Sequence, residues 1–129
     1  MTDRSNLAAR IEAAGGPDLE LDLMIAKWAQ EQRIDMTPLY PGPINYDVDL
    51  WIHRHDFFPT ASLDAAMMLV PEGAWFVLKN VMGPQPMTRD LFVADVLPAG
   101  WKDRPIRLTA PCATAALALS AAAIRAGGA

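Results

Sequence analysis

Apolar residues recur at helical spacing, three and four apart, in four segments of the chain. Leu7 and Ile11 mark a short helix over residues 6–14, broken by Gly15 and Gly16. Leu21, Met24, Ile25 and Trp28 mark a second, with Pro17 in its first turn and an end near Gln32. Leu63, Met67 and Val70, with Ala66 beside them, mark a third. Thr60 or Ser62 supplies its N-cap, Asp64 suits the positive end of its dipole, and Pro71 stops it. Gly73 then allows the chain to reverse. A fourth helix is expected from Thr109, with Pro111 in its first turn. It presents Ala113, Leu117, Ser120, Ala121 and Ile124 on one face and ends at Gly127 and Gly128.

Elsewhere the period is two. In residues 46–55, Tyr46, Val48, Leu50 and Ile52 alternate with Asp47, Asp49, Trp51, His53 and His55, which predicts a half-buried strand. Residues 74–81 and 91–97 are apolar on both faces, with Asp95 the one departure in the second run. Strands of that kind need cover on both sides. Residues 106–108 suit a further short strand. Residues 33–45, which hold Pro38, Pro41, Gly42 and Pro43, read as a polyproline-type connector, and residues 82–90 as a long hairpin loop able to make contacts. Together these elements predict one α+β domain over residues 1–129. Its expected form is a small, mainly antiparallel sheet with helices on both faces, a three-layer α-β-α sandwich.

Composition narrows the class without naming a reaction. At 129 residues the chain is long enough to bury a core unaided, and its net charge of -4 argues against non-specific nucleic-acid binding. An acidic surface leaves room for a basic partner. The single cysteine, Cys112, has no internal disulfide partner, and the start of the chain has no basic-then-apolar leader, so a reducing cytoplasm is the expected compartment. The alanine-rich run at residues 108–124 is short and weakly apolar for a membrane span. No cofactor-binding motif is present in the sequence.

Candidate chemistry is sparse. An H-x-H pair on a strand chelates a divalent ion when a third ligand is near, so Asp49, His53 and His55 are metal candidates. At strand rise, however, Asp49 stands about 13 Å from His53. The same strand face offers Trp51, His53 and His55 for binding, the long loop offers Arg89, and Trp101, Lys102, Arg104 and Arg107 form a basic cluster suited to phosphate or an acidic partner. Asp18, Glu20 and Asp22 read as solvated charge matched to a helix dipole, although Asp18 and Asp22 share a face that a hard cation could use. Cys112, in the expected first turn of the last helix, would gain thiolate character there. No spacing joins it to a base, and a packed thiol is the plainer reading. Ser62 and Asp64 read as cap and dipole residues. No catalytic residue is assigned.

Three blocks together resemble the phage ABA sandwich domain family, small proteins of bacteriophages and prophages. They are residues 7–22 (LAARIEAAGGPDLELD), residues 60–73 (TASLDAA…LVPEG), and the alanine-rich helix ending Ile124-Arg125-Ala126. The middle block, followed by a Trp-containing strand, is the most specific part. The connector with residues 46–55 and the loop at 82–90 have no counterpart in that pattern. The resemblance implies a three-layer fold and expression in a host bacterial cytoplasm, with virion association also open, and it brings no catalytic motif. The functional expectation is a non-enzymatic phage accessory protein that acts by binding, against a host or defence protein or by self-association. A small-ligand binder for a metabolite or signalling nucleotide, oligomeric in one form, and a metal-dependent hydrolase built on His53 and His55 are the alternatives.

Overall fold

The computed structural model describes residues 3–32, 48–71, 73–81, 91–97 and 105–127, the side chains of Arg54 and His55 excepted. Its elements run α1 (Arg4–Ala13), α2 (Leu19–Gln32), α3 (Val48–His55), α4 (Leu63–Met67), β1 (Trp75–Val81), β2 (Leu91–Leu97) and α5 (Ala115–Arg125). Helices and an antiparallel pair of strands make it an α+β protein. The predicted connector at 33–45, the loop at 82–90 with Arg89, and Trp101, Lys102 and Arg104 lie outside the described residues.

α5 is the organising element. Ala116 to Ile124 are buried without a break, whereas the sequence pattern allots the helix a single apolar face. A helix apolar all round must be surrounded, and α5 is: α1, α4 and β2 all pack on it. Its alanines let those neighbours approach closely. α2 packs on α1 and on α3.

The start of α5 corrects the expectation of a helix from Thr109. Cys112 exchanges backbone hydrogen bonds with Phe92 of β2, at 2.9 and 2.8 Å, and the Thr109 N–H donates to the Ala94 carbonyl at 2.9 Å. Backbone committed to a strand edge cannot also wind into a helix. α5 therefore begins after the next hydroxyl able to cap it, Thr114, whose Oγ1 accepts from the Leu117 N–H at 3.1 Å. The short strand expected at 106–108 is not formed either. Side chains stand in for the ladder there: Asp95 Oδ2 accepts the Arg107 N–H at 2.7 Å, and Thr109 Oγ1 accepts the Ala94 N–H at 3.2 Å.

Residues 48–55 are helical, and this overturns the predicted strand. The stretch satisfies both periods, since Val48, Trp51 and Ile52 also stand at i, i+3 and i+4. Those three are buried beside α2, while Leu50, assigned to the inner face of the strand, is exposed. The large apolar Trp51 on the supposed polar face was the sign that period two was the wrong choice. Asp56, with φ at 52°, ends the helix in a left-handed turn that Asp tolerates better than most residues.

β1 and β2 pair in register from Trp75 opposite Leu97 to Val81 opposite Leu91. β2 is buried from Val93 to Leu97 on both faces, as expected, but β1 is not. Trp75 is 64% exposed and Phe76 40%, because α5 packs chiefly on β2 and little on β1. Ser62 caps α4, with its Oγ accepting the Ala65 N–H at 3.3 Å.

Candidate functional site

A cleft of about 370 Å³ opens where the N-terminus of α1, the C-terminus of α5 and the strand-like segment 105–109 meet. Buried Asp95, Val96, Thr109 and Ala122 line it, as do the exposed Arg4, Ser5, Arg107, Arg125 and Ala126. Three arginines face one aspartate, in a chain whose fifteen acidic residues outnumber its eleven basic ones.

Each arginine arrives by a different local rule. Arg4 opens α1, directly after Asp3, whose Oδ1 accepts the Ser5 and Asn6 N–H groups as the N-cap. The Arg4 guanidinium lies against Gly127 at the carboxyl end of α5, so close that a Cβ on Gly127 would stand 2.9 Å from Nη1. A cation suits that negative helix end. Arg125, in the last turn of α5, pairs with Glu12 of α1. The other oxygen of Glu12, Oε2, accepts the Ala110 N–H at 2.6 Å. One carboxylate thus ties together all three walls of the cleft. Arg107 is aimed by the bond from its own N–H to Asp95. Among the described residues, the guanidiniums of Arg4 and Arg107 have no carboxylate partner.

The residues singled out from the sequence scatter. Arg107 is in the cleft. Trp51 is a core residue, packed edge-on against Phe57 with ring centroids 5.3 Å apart, and offers no exposed contact face. His53 is exposed on α3. Helix geometry brings Asp49, one turn back, far nearer than the 13 Å of a strand: His53 Nδ1 is 3.2 Å from Asp49 Oδ1 and 2.9 Å from the Asp49 carbonyl. Residues 48–55 are helical, so the strand alternation behind the H-x-H chelate is absent. No cluster of three or more His, Cys, Asp or Glu able to hold a metal occurs among the described residues.

Two further expectations change. Asp22 is buried rather than solvated, and accepts both the N–H and the hydroxyl of Thr60. Burial pushes its carboxyl above the usual range, Thr60 pulls it back, and Asp18 adds to the rise. Asp18 caps α2 through the Leu21 N–H at 3.2 Å. Cys112 lies three residues before α5, buried, with its thiol donating to the Ala110 carbonyl at 3.2 Å. Burial raises its pKa, the reverse of the expected helix-dipole activation.

The sequence reading missed Arg4, Ser5, Asp95, Thr109 and Arg125. Arg4 and Arg125 stand at opposite ends of the chain, each looking like ordinary solvated charge on a helix. Their positions at helix ends were the only available signal. No helix among the described residues is long and apolar enough to cross a membrane. No protein-family model, curated protein or solved structure matches this chain.

Proposed function

We propose that this chain is a non-enzymatic binding protein whose cleft between α1, α5 and residues 105–109 takes a small anionic ligand. The observation that carries this reading is the pair of guanidiniums, Arg4 and Arg107, that line the cleft without a carboxylate partner among the described residues. A bound anion supplies acceptor oxygens in the bidentate geometry a guanidinium prefers. A cleft of this volume falls in the range of small-molecule sites. With the resemblance to the phage ABA sandwich family, the biological setting is that of a phage or prophage accessory protein in a bacterial cytoplasm, and the complete fold is a three-layer sandwich. Calorimetric titration with a panel of small phosphates, sulfate and carboxylates tests the reading. The expected result is saturable binding that Arg107→Ala weakens about tenfold or more. A panel with no binder sinks it.

A second reading has its own observation. Trp75, Phe76 and Val81 are exposed on a strand whose outer edge has no ladder partner among the described residues. Strands of that kind pair with other chains, which supports the expected protein partner or self-association. Sedimentation velocity on the parent and on Phe76→Lys decides it. An unchanged monomer in both, alone and with candidate partners, removes the support.

A further inference from the structure

We infer that the anion is a tetrahedral dianion, a phosphate group, rather than a carboxylate; this rests on the anion-binding reading above. The donors come from three directions. Arg4 and Ser5 stand on the first turn of α1, Arg107 on the segment along β2, and Arg125 on the last turn of α5. A carboxylate is planar and offers two oxygens, which a single guanidinium fork satisfies. It would leave the donors of the other walls without acceptors. A phosphate group directs oxygens toward several walls at once and takes hydroxyl and guanidinium donors together.

Charge favours an anion. Arg125 is already paired with Glu12, so the guanidiniums of Arg4 and Arg107 are left to meet a ligand, beside an Asp95 carboxylate that keeps its own charge while accepting from the Arg107 backbone. Two guanidiniums against one carboxylate leave the lining net positive, and each guanidinium can take a separate oxygen of a phosphate monoester. Thr109 Oγ1 accepts the Ala94 N–H and gives its own proton to the Cys112 sulfur, so the hydroxyl left for a ligand is that of Ser5. The room left in the cleft beyond one phosphate group suits a small phosphorylated molecule.

The test titrates the full chain with glycerol 3-phosphate, inorganic phosphate, sulfate, acetate and succinate. The tetrahedral anions are expected to bind about tenfold or more tightly than the carboxylates. Glycerol 3-phosphate should gain several-fold in affinity between pH 5 and pH 7.5, as it takes on its second charge with a pKa of about 6. Sulfate, doubly charged throughout, should not. Arg4→Gln and Arg107→Gln should each lose about tenfold with an unchanged circular-dichroism spectrum. Tighter binding of the ester than of inorganic phosphate identifies a phosphorylated metabolite, and equal binding identifies the free ion. If succinate or acetate binds as well as phosphate, the phosphate assignment is overturned while the anion cleft stands. If nothing in the panel binds, both fall. Phosphate binding that survives both arginine substitutions puts the ligand elsewhere and overturns the site.

Discussion

Thr60 gives both of its donors to one oxygen of Asp22: the backbone N–H at 2.9 Å and the hydroxyl at 2.8 Å, both on Oδ1. Thr60 Oγ1 in turn accepts the Asp18 N–H at 2.9 Å, so the start of α2 and the turn before α4 are joined through a single buried threonine. Residues 38 and 42 positions apart in the chain are locked by it.

That lock has a pH signature. The Asp22 carboxyl titrates above its unfolded value of about 3.9, chiefly because it is buried. The folded state therefore holds the proton longer, and this group's contribution to stability falls as pH rises from about 4 to the raised native value, then levels off. Asp22→Asn keeps an acceptor for Thr60 and removes the charge. The difference in stability, parent minus Asp22→Asn, should decline across that window in urea titrations at successive pH values. A difference that grows with pH would sink the assignment. Asp22→Ala strands the buried Thr60 donors and should cost about 1–3 kcal/mol at any pH.

Cys112 should be chemically silent in the folded protein. Burial raises its pKa, so above the unfolded value of about 8.5 the unfolded chain loses its proton first, and stability should fall as pH rises past that point. Labelling with a thiol reagent should proceed only as fast as the protein opens, and rise sharply in denaturant. Fast labelling under native conditions would contradict the buried position.

Gly127→Ala tests the link between a helix end and the cleft. Gly127 has φ at 90°, where a side chain costs about 1–2 kcal/mol, and the added Cβ would meet the Arg4 guanidinium. Urea denaturation should show the loss of stability. Anion affinity should fall with it, because Arg4 must swing aside. Loss of stability with full affinity would show that Arg4 does not need this perch.

Glu12 separates positioning from charge. Glu12→Gln keeps an acceptor for the Ala110 N–H but frees Arg125, so the cleft gains one net positive charge. Anion affinity should rise several-fold and its salt dependence steepen. Glu12→Ala loosens the walls as well and should bind more weakly than Glu12→Gln. Equal affinities for the two variants would remove Glu12 from the assembly of the cleft.

Thr114→Ala removes the N-cap of the most buried helix and should cost about 1 kcal/mol, read as a lower thermal midpoint. The same change at Thr109 should leave α5 intact, since that residue serves β2 instead.

Most of the element plan was legible in the sequence because it depends on local signals. The β2 boundaries, the Gly15-Gly16 break, the Ser62 cap and the end of α5 at Gly127 all follow from residue type and period. What failed was what neighbours decide. Residues 48–55 fit two periods, and burial of Trp51 beside α2 selected the helix. Residues 109–112 carry good helix-start residues, yet their backbone was claimed by β2. Asp22 looked like surface charge until Thr60 arrived to satisfy it.

The cleft belongs wholly to the second category. By itself the sequence determined an α+β chain with an alanine-rich final helix and a surplus of negative charge. Tertiary structure alone brought Arg4, Arg107 and Arg125 onto one cleft, because packing α1 against α5 joins positions that no local period relates. The helix ends supply the reason the arginines stay there: a guanidinium at the carboxyl end of α5 is held by the dipole, and Glu12 fixes its neighbour.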